Sequence, residues 1–139
     1  MKASPCKEAA NTLFAKPWQK RAAQALTNLA VCSANRKEML KDEGIFQAMV
    51  VSANALRSAT ERIVSLNGLS HIASLPGNAA QMWADGSLRD NLFAAITHRG
   101  PVSAEAVREA GFEVMGYLAM NKKVCGLIAE DERFKPFWE

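Results

Sequence analysis

Apolar residues return at steps of three and four along three long stretches of this chain, and shorter, more polar segments separate them. In the first stretch Trp18, Ala22, Ala25, Leu26, Leu29 and Ala30 share one helical face, and Pro17 suits the first helical position. In the second, Ser58 and Glu61 read as a capping box ahead of Ile63, Leu66, Leu69 and Ile72. In the third, Pro101-Val102-Ser103 punctuates the chain. Ser103 is placed to cap a helix whose stripe is Val107, Ala110, Val114, Met115 and Leu118. The pattern predicts three long amphipathic helices of equivalent role.

These stretches are copies of one another. Gln24-Ala-Leu-Thr-Asn-Leu-Ala30, which ends five residues before Asn35, recurs as Asn67-Gly-Leu-Ser-His-Ile-Ala73, five before Asn78, at a constant offset of 43 residues. A third copy, Glu113-Val-Met-Gly-Tyr-Leu-Ala119, follows 46 residues later, with Asn121 arriving early and its loop shorter. The intervening segments echo too. Asn35 to Gly44 and Asn78 to Gly86 each begin at Asn, place an apolar pair four and five residues on, and stop at Gly, which reads as a capped and terminated short helix. Medium helices are then expected over Ile45 to Leu56 and, behind Ser87 as cap, over Leu88 to Thr97. The predicted unit is a short, a medium and a long helix.

Composition narrows the class without changing this picture. The 139 residues fit one domain, 49% hydrophobic and 22% charged, rich in helix formers and poor in aromatics, which favours an all-α fold. The net charge of +3 is too mild to imply nucleic acid. Its distribution is uneven: residues 1–70 carry ten Lys or Arg against five acids, residues 71–139 seven against nine, as in an elongated protein or one that stacks head to tail. Cys6, Cys32 and Cys125 are odd in number and lack CxxC spacing, which fits a reducing compartment. Cys32 and Cys125 are expected to be buried, inert thiols. With no apolar signal core and no apolar run near the roughly 20 residues of a membrane span, the expectation is a cytoplasmic or nuclear protein without a membrane partner.

A three-helix unit of about 43 residues resembles the armadillo repeat, and Ala23-Gln-Ala-Leu-Thr-Asn-Leu-Ala30 matches its third-helix pattern A-x-A-L-x-N-L-A at nearly every marked position. HEAT repeats are the nearest alternative. The resemblance implies a right-handed alpha-solenoid of about three repeats in a single domain over 1–139: leading helices over 1–34, repeats over 35–77 and 78–120, and a partial repeat over 121–139. Small residues at the equivalent positions Ala22, Ser65 and Gly111 would let helices approach closely, while Leu26, Leu69 and Met115 fill the seams. The two ends lack the polar caps of a closed solenoid: a weakly patterned helix is expected over Lys7 to Ala15, and the chain ends as a further second helix should develop. Self-association or continuation into a longer array is one expectation there. Phe134, Phe137 and Trp138 then either dock onto something or fold back over the last seam.

Catalytic chemistry is not encoded in any recognisable motif. His71 and His98 lie on different predicted helices, and no HExxH, phosphate loop or nucleophile elbow is present, so neither an enzyme nor a cofactor or metal is expected. The resemblance implies a groove along the third helices that holds a partner protein or extended peptide through Asn and Trp sites. By position the Asn site is Asn28, His71 and Tyr117, and the Trp site is Gln24, Asn67 and Glu113. Only Asn28 keeps the family residue, so binding of basic nuclear-localisation peptides does not carry over. The alternative partner is RNA or DNA at the basic first repeat, where Lys16, Lys20, Arg21, Arg36, Lys37 and Lys41 gather, interrupted by Glu38, Asp42 and Glu43 and without an aromatic platform.

Overall fold

The three-and-four spacing of apolar residues folds as expected into helices, and the polar breaks between them supply the caps. The computed structural model describes residues 19–100 and 103–139. The expectations for Lys7 to Ala15, Lys16, Pro17, Trp18, Pro101 and Val102 lie outside the described residues. Within them the protein is all-α: α1 (Gln19–Val31), α2 (Ser33–Lys41), α3 (Glu43–Ser52), α4 (Ala59–Ala73), α5 (Ala79–Trp83), α6 (Gly86–Ile96), α7 (Ala104–Ala119) and α8 (Lys122–Glu130), with 3₁₀ turns at Pro76–Asn78 and Lys135–Phe137.

The long helices α1, α4 and α7 pack in series, α1 on α4 and α4 on α7. The faces they use follow from residue size. Thr27 of α1 donates its hydroxyl to the Val64 carbonyl of α4 at 2.8 Å. Gly68 lies beneath it: a Cβ there would sit 2.7 Å from Thr27 Oγ1 and collide with the Met49 methyl, so only glycine permits this approach. Gly111 of α7 plays the same part against α6, where a Cβ would lie 3.0 Å from both Ala95 Cβ and Ile96 Cγ2. Of the other two small positions, Ser65 is buried and Ala22 is only half-buried. Leu69 and Met115 are buried in the continuous core that runs from Ala30 to Phe134, and Leu26 packs against it partly exposed.

The first two breaks repeat each other, with chemistry the sequence pattern did not specify, whereas at the third Asn121 caps α8 forward by accepting from the Val124 amide at 3.1 Å. Asn35 and Asn78 do not cap the helices they seem to open. Each turns its side-chain amide backwards to the carbonyl six residues earlier, Asn35 to Leu29 and Asn78 to Ile72, both at 3.0 Å. Each thereby adds a second donor to a carbonyl at the end of a long helix that also accepts the amide three residues on, Leu29 from Cys32 and Ile72 from Leu75, both at 3.3 Å. Forward capping belongs instead to Asp42 and Asp85, whose carboxylates accept from the amides of Ile45 at 3.1 Å and Leu88 at 2.9 Å. Their backbones agree (φ −80, ψ 101 and φ −78, ψ 111), and Asp131 adopts the same conformation (φ −72, ψ 116). Gly44 and Gly86 therefore sit in the first turn of the following helix and terminate nothing, and Asp85 replaces Ser87 as the cap. The expected Ile45 to Leu56 helix runs from Glu43 to Ser52, because Asp42 starts it ahead of Gly44.

Two other caps differ from expectation. Ser58 accepts from the Glu61 amide at 3.2 Å, but the Glu61 carboxylate turns to the Ser52 hydroxyl at 2.8 Å and to Arg57. Ser103 precedes α7 in the left-handed region (φ 57), with no side-chain bond to the helix amides. Cys32 and Cys125 are exposed, contrary to the expectation of buried thiols, because each lies at or near a helix start on the side turned from the core.

Candidate functional site

Helix geometry decides which side chains of three stacked helices face away from their neighbours. At 3.6 residues per turn, positions four apart lie on one face, so Gln24 and Asn28, Asn67 and His71, and Glu113 and Tyr117 form three pairs, one on each long helix. All six face solvent to some degree: Gln24, Asn28, Glu113 and Tyr117 are exposed, and Asn67 and His71 on the central helix are half-buried. Because α4 lies between α1 and α7, the pairs follow one another across the three helices.

Local bonding fixes the strip's backbone more than its side chains. The Gln24 amide donates to the Asn28 carbonyl oxygen at 2.9 Å along α1. On α4 the carbonyls of Asn67 and His71 accept from Ser70 Oγ at 2.7 Å and Ser74 Oγ at 2.6 Å. The side chains of Asn67, His71, Glu113 and Tyr117 carry donors and acceptors that face outward with no hydrogen bond among the described residues.

The electrostatics of this face are graded. Lys20 and Arg21 are exposed on α1, while Glu105, Glu109 and Glu113 are exposed on α7 at four-residue spacing. The acidic row belongs to the strip's surroundings and is a feature that sequence reasoning misses, although its spacing is visible there. The basic cluster of the first repeat is partly consumed by structure. Arg36 donates to the carbonyls of Ala30 and Val31 at the end of α1, each at 2.8 Å, and to Ser74 Oγ at 3.1 Å, so its fork closes a helix end. Lys41 lies 3.6 Å from Glu38. Lys20, Arg21 and Lys37 remain exposed.

The three C-terminal aromatics divide. Phe134 folds into the core between Trp83 and Phe93, with ring centroids at 5.6 and 5.7 Å, and Trp138 stacks on it at 6.2 Å. Arg133 clamps this turn by reaching over Phe93 and bonding Asp90 at 2.8 Å. Phe134 stands three residues after Asp131, as Ile45 follows Asp42 and Leu88 follows Asp85, but Ile45 is only half-buried and the Asp131 carboxylate accepts from the Arg133 amide instead. Phe137 and Trp138 stay substantially exposed, Phe137 meeting Phe112 edge-on at 5.7 Å.

His71 and His98 are on separate elements. His98 Nδ1 stands 3.3 Å from Nη1 of the buried Arg62, and the His98 carbonyl accepts from Arg108 at 2.8 Å. Burial lowers the pKa of the Arg62 guanidinium, whose Nε and Nη2 make no hydrogen bond among the described residues. Among the described residues no group of three or more His, Cys, Asp or Glu is gathered to hold a metal, and no helix is long and apolar enough to cross a membrane. Comparison of this chain with family models, with curated proteins and with solved structures finds no match.

Proposed function

We propose that this chain is a non-catalytic, armadillo-like alpha-solenoid module that binds a partner protein, as an extended segment, along Gln24, Asn28, Asn67, His71, Glu113 and Tyr117. The observation that carries the reading is the repetition of one bonding scheme. Asn35 and Asn78 close successive long helices by the same backward bond, and Asp42 and Asp85 open successive second helices by the same forward bond. Units that repeat in this way present equivalent residues at regular intervals, the geometry an extended chain can follow. A reaction centre needs groups converging on one point, whereas these six are spread over three helices.

The chemistry of the strip suits a polypeptide. Asn, Gln and His side chains accept from and donate to peptide groups, and Tyr117 adds an aromatic anchor of the kind that dominates protein interfaces. The acidic row beside Glu113 favours a ligand carrying Lys or Arg at the α7 end of the strip.

Selection from a displayed library of random peptides supplies a probe whatever the natural partner is. The selected peptides are expected to lose about 1–3 kcal/mol of binding to an Asn28→Ala, Tyr117→Ala double variant, with little change in its stability. Lys41→Ala and Glu43→Ala, on other helices, should leave affinity nearly intact and alter only its salt dependence. If no peptide binds, and single-stranded RNA binds instead with steep salt dependence lost on changing Lys20, Arg21 and Lys37, the strip is not the site.

A further inference from the structure

The internal seams show what a long helix requires on each flank, and among the described residues the two outer helices each lack one of those neighbours. α1 meets α4 through Ala23, Thr27 and Ala30; the equivalent residues of α4 are Leu66, Ser70 and Ala73, and all six are buried. On α7 the same positions are Phe112, Gly116 and Ala119. Phe112 is 40% exposed where Leu66 is fully buried, and Gly116 is exposed, with nothing near enough to touch an added Cβ. The opposite flank shows the converse. Gly68 and Ile72 of α4 are buried toward α1, while their equivalents Ala25 and Leu29 on α1 are exposed, Leu29 by 50%. One end of the series thus presents an open donor face and the other an open acceptor face, each with the small-and-apolar pattern of a closed seam.

We propose that these two faces close on each other between copies of this chain, α1 of a second copy seating on α7 of the first in the register that α4 holds on α1. Charge favours that occupant over an unrelated helix. Ala25 of the second copy then stands opposite Gly116, as Gly68 does opposite Thr27, and Arg21 one turn before it comes level with Phe112, near Glu109, with Lys20 on the side of the same acidic row. Phe137, half-exposed against the Phe112 edge, extends the apolar floor. Since the two faces differ, the contact is head to tail and propagates instead of stopping at a dimer. These faces lie to either side of the peptide strip and share with it only the acidic row of α7, so the assembly does not rest on the function proposed above.

The test is sedimentation equilibrium on the full chain, on Gly116→Arg and on Ala25→Glu. Gly116→Arg fills open space on an exposed helical face, and Ala25→Glu places a carboxylate one turn after Arg21, so helical circular dichroism and melting should be preserved in both. The weight-average mass of the unaltered chain should climb between roughly 5 and 500 µM, the range of a weak interface, without levelling at a dimer. Each variant alone should remain monomeric, with association weakened at least about tenfold. An equimolar mixture should form a dimer and stop there, because one sound face survives on each partner. A monomeric unaltered chain, association that survives either substitution, or a mixture that stays monomeric would each overturn the proposal.

Discussion

The central long helix α4 and the outer long helix α7 have nearly the same pattern and different surroundings. In α4 the flank at Leu66 and Ser70 and the flank at Gly68 and Ile72 are both covered, leaving only Ile63, Val64, Asn67, His71 and their neighbours partly open. In α7 the flank toward α4 is covered at Ala110, Val114 and Leu118, and the other is open. The burial of a given repeat position is therefore decided by whether a neighbouring helix exists to cover it and not by the residue that occupies it. Phe112 and Leu29 are large and apolar yet exposed, whereas Ser70 and Thr27 are polar and buried.

The sharpest way to break the comparison is to truncate one seam residue at covered and uncovered places. Leu69→Ala, in the covered helix, should cost about 2–5 kcal/mol, while Leu26→Ala at the equivalent, partly exposed place should cost less than about 2 kcal/mol, both read by denaturant unfolding. Equal losses would show that the series does not set burial.

The glycines give an opposite-sign contrast. Gly68→Ala should destabilise by about 1–2 kcal/mol, since the methyl group must displace Thr27 and Met49 and overpacking outweighs the gain in helix propensity. Gly116→Ala meets nothing and should stabilise by about 0.5–1 kcal/mol. Thermal melts of the two variants should move in opposite directions.

The smallest contrast lies in the backward bonds. Asn78 is buried and donates to both the Ile72 and Arg36 carbonyls, whereas Asn35 is half-buried and donates to one. Asn78→Ala should cost about 1–3 kcal/mol because it removes two bonds from a buried side chain and leaves a gap there, and Asn35→Ala about 0.5–1.5 kcal/mol because water can replace its bond. A difference below about 0.3 kcal/mol in unfolding free energy would mean the two bonds are not distinguished by burial.

The sequence pattern is sufficient for the helical class and the three long helices because Ala, Leu and Val at three-and-four spacing carry that information locally. It is insufficient wherever a side chain answers to something distant. Asn35 and Asn78 read as punctuation, but their direction depends on the helix end behind them, which spacing alone does not orient. Arg62 carries no mark of its burial in the local pattern, and it is buried on α4 with His98 beside it. Phe134 admits two readings from sequence, and the ring pocket made by Trp83 and Phe93 settles its own place in the core, leaving Phe137 and Trp138 outside. For the candidate strip, the residues are legible as equivalents under the offset. The acidic row beside them becomes legible only once α7 is seen to have an open face.

The most direct test of the binding strip is nuclear magnetic resonance mapping of the isotope-labelled chain titrated with a library-selected peptide. The account predicts that the perturbed resonances fall on Gln24, Asn28, Asn67, His71, Glu113 and Tyr117, spanning all three long helices in one titration. Perturbations confined to a single helix, or gathered on Lys20, Arg21 and Lys37, would contradict it.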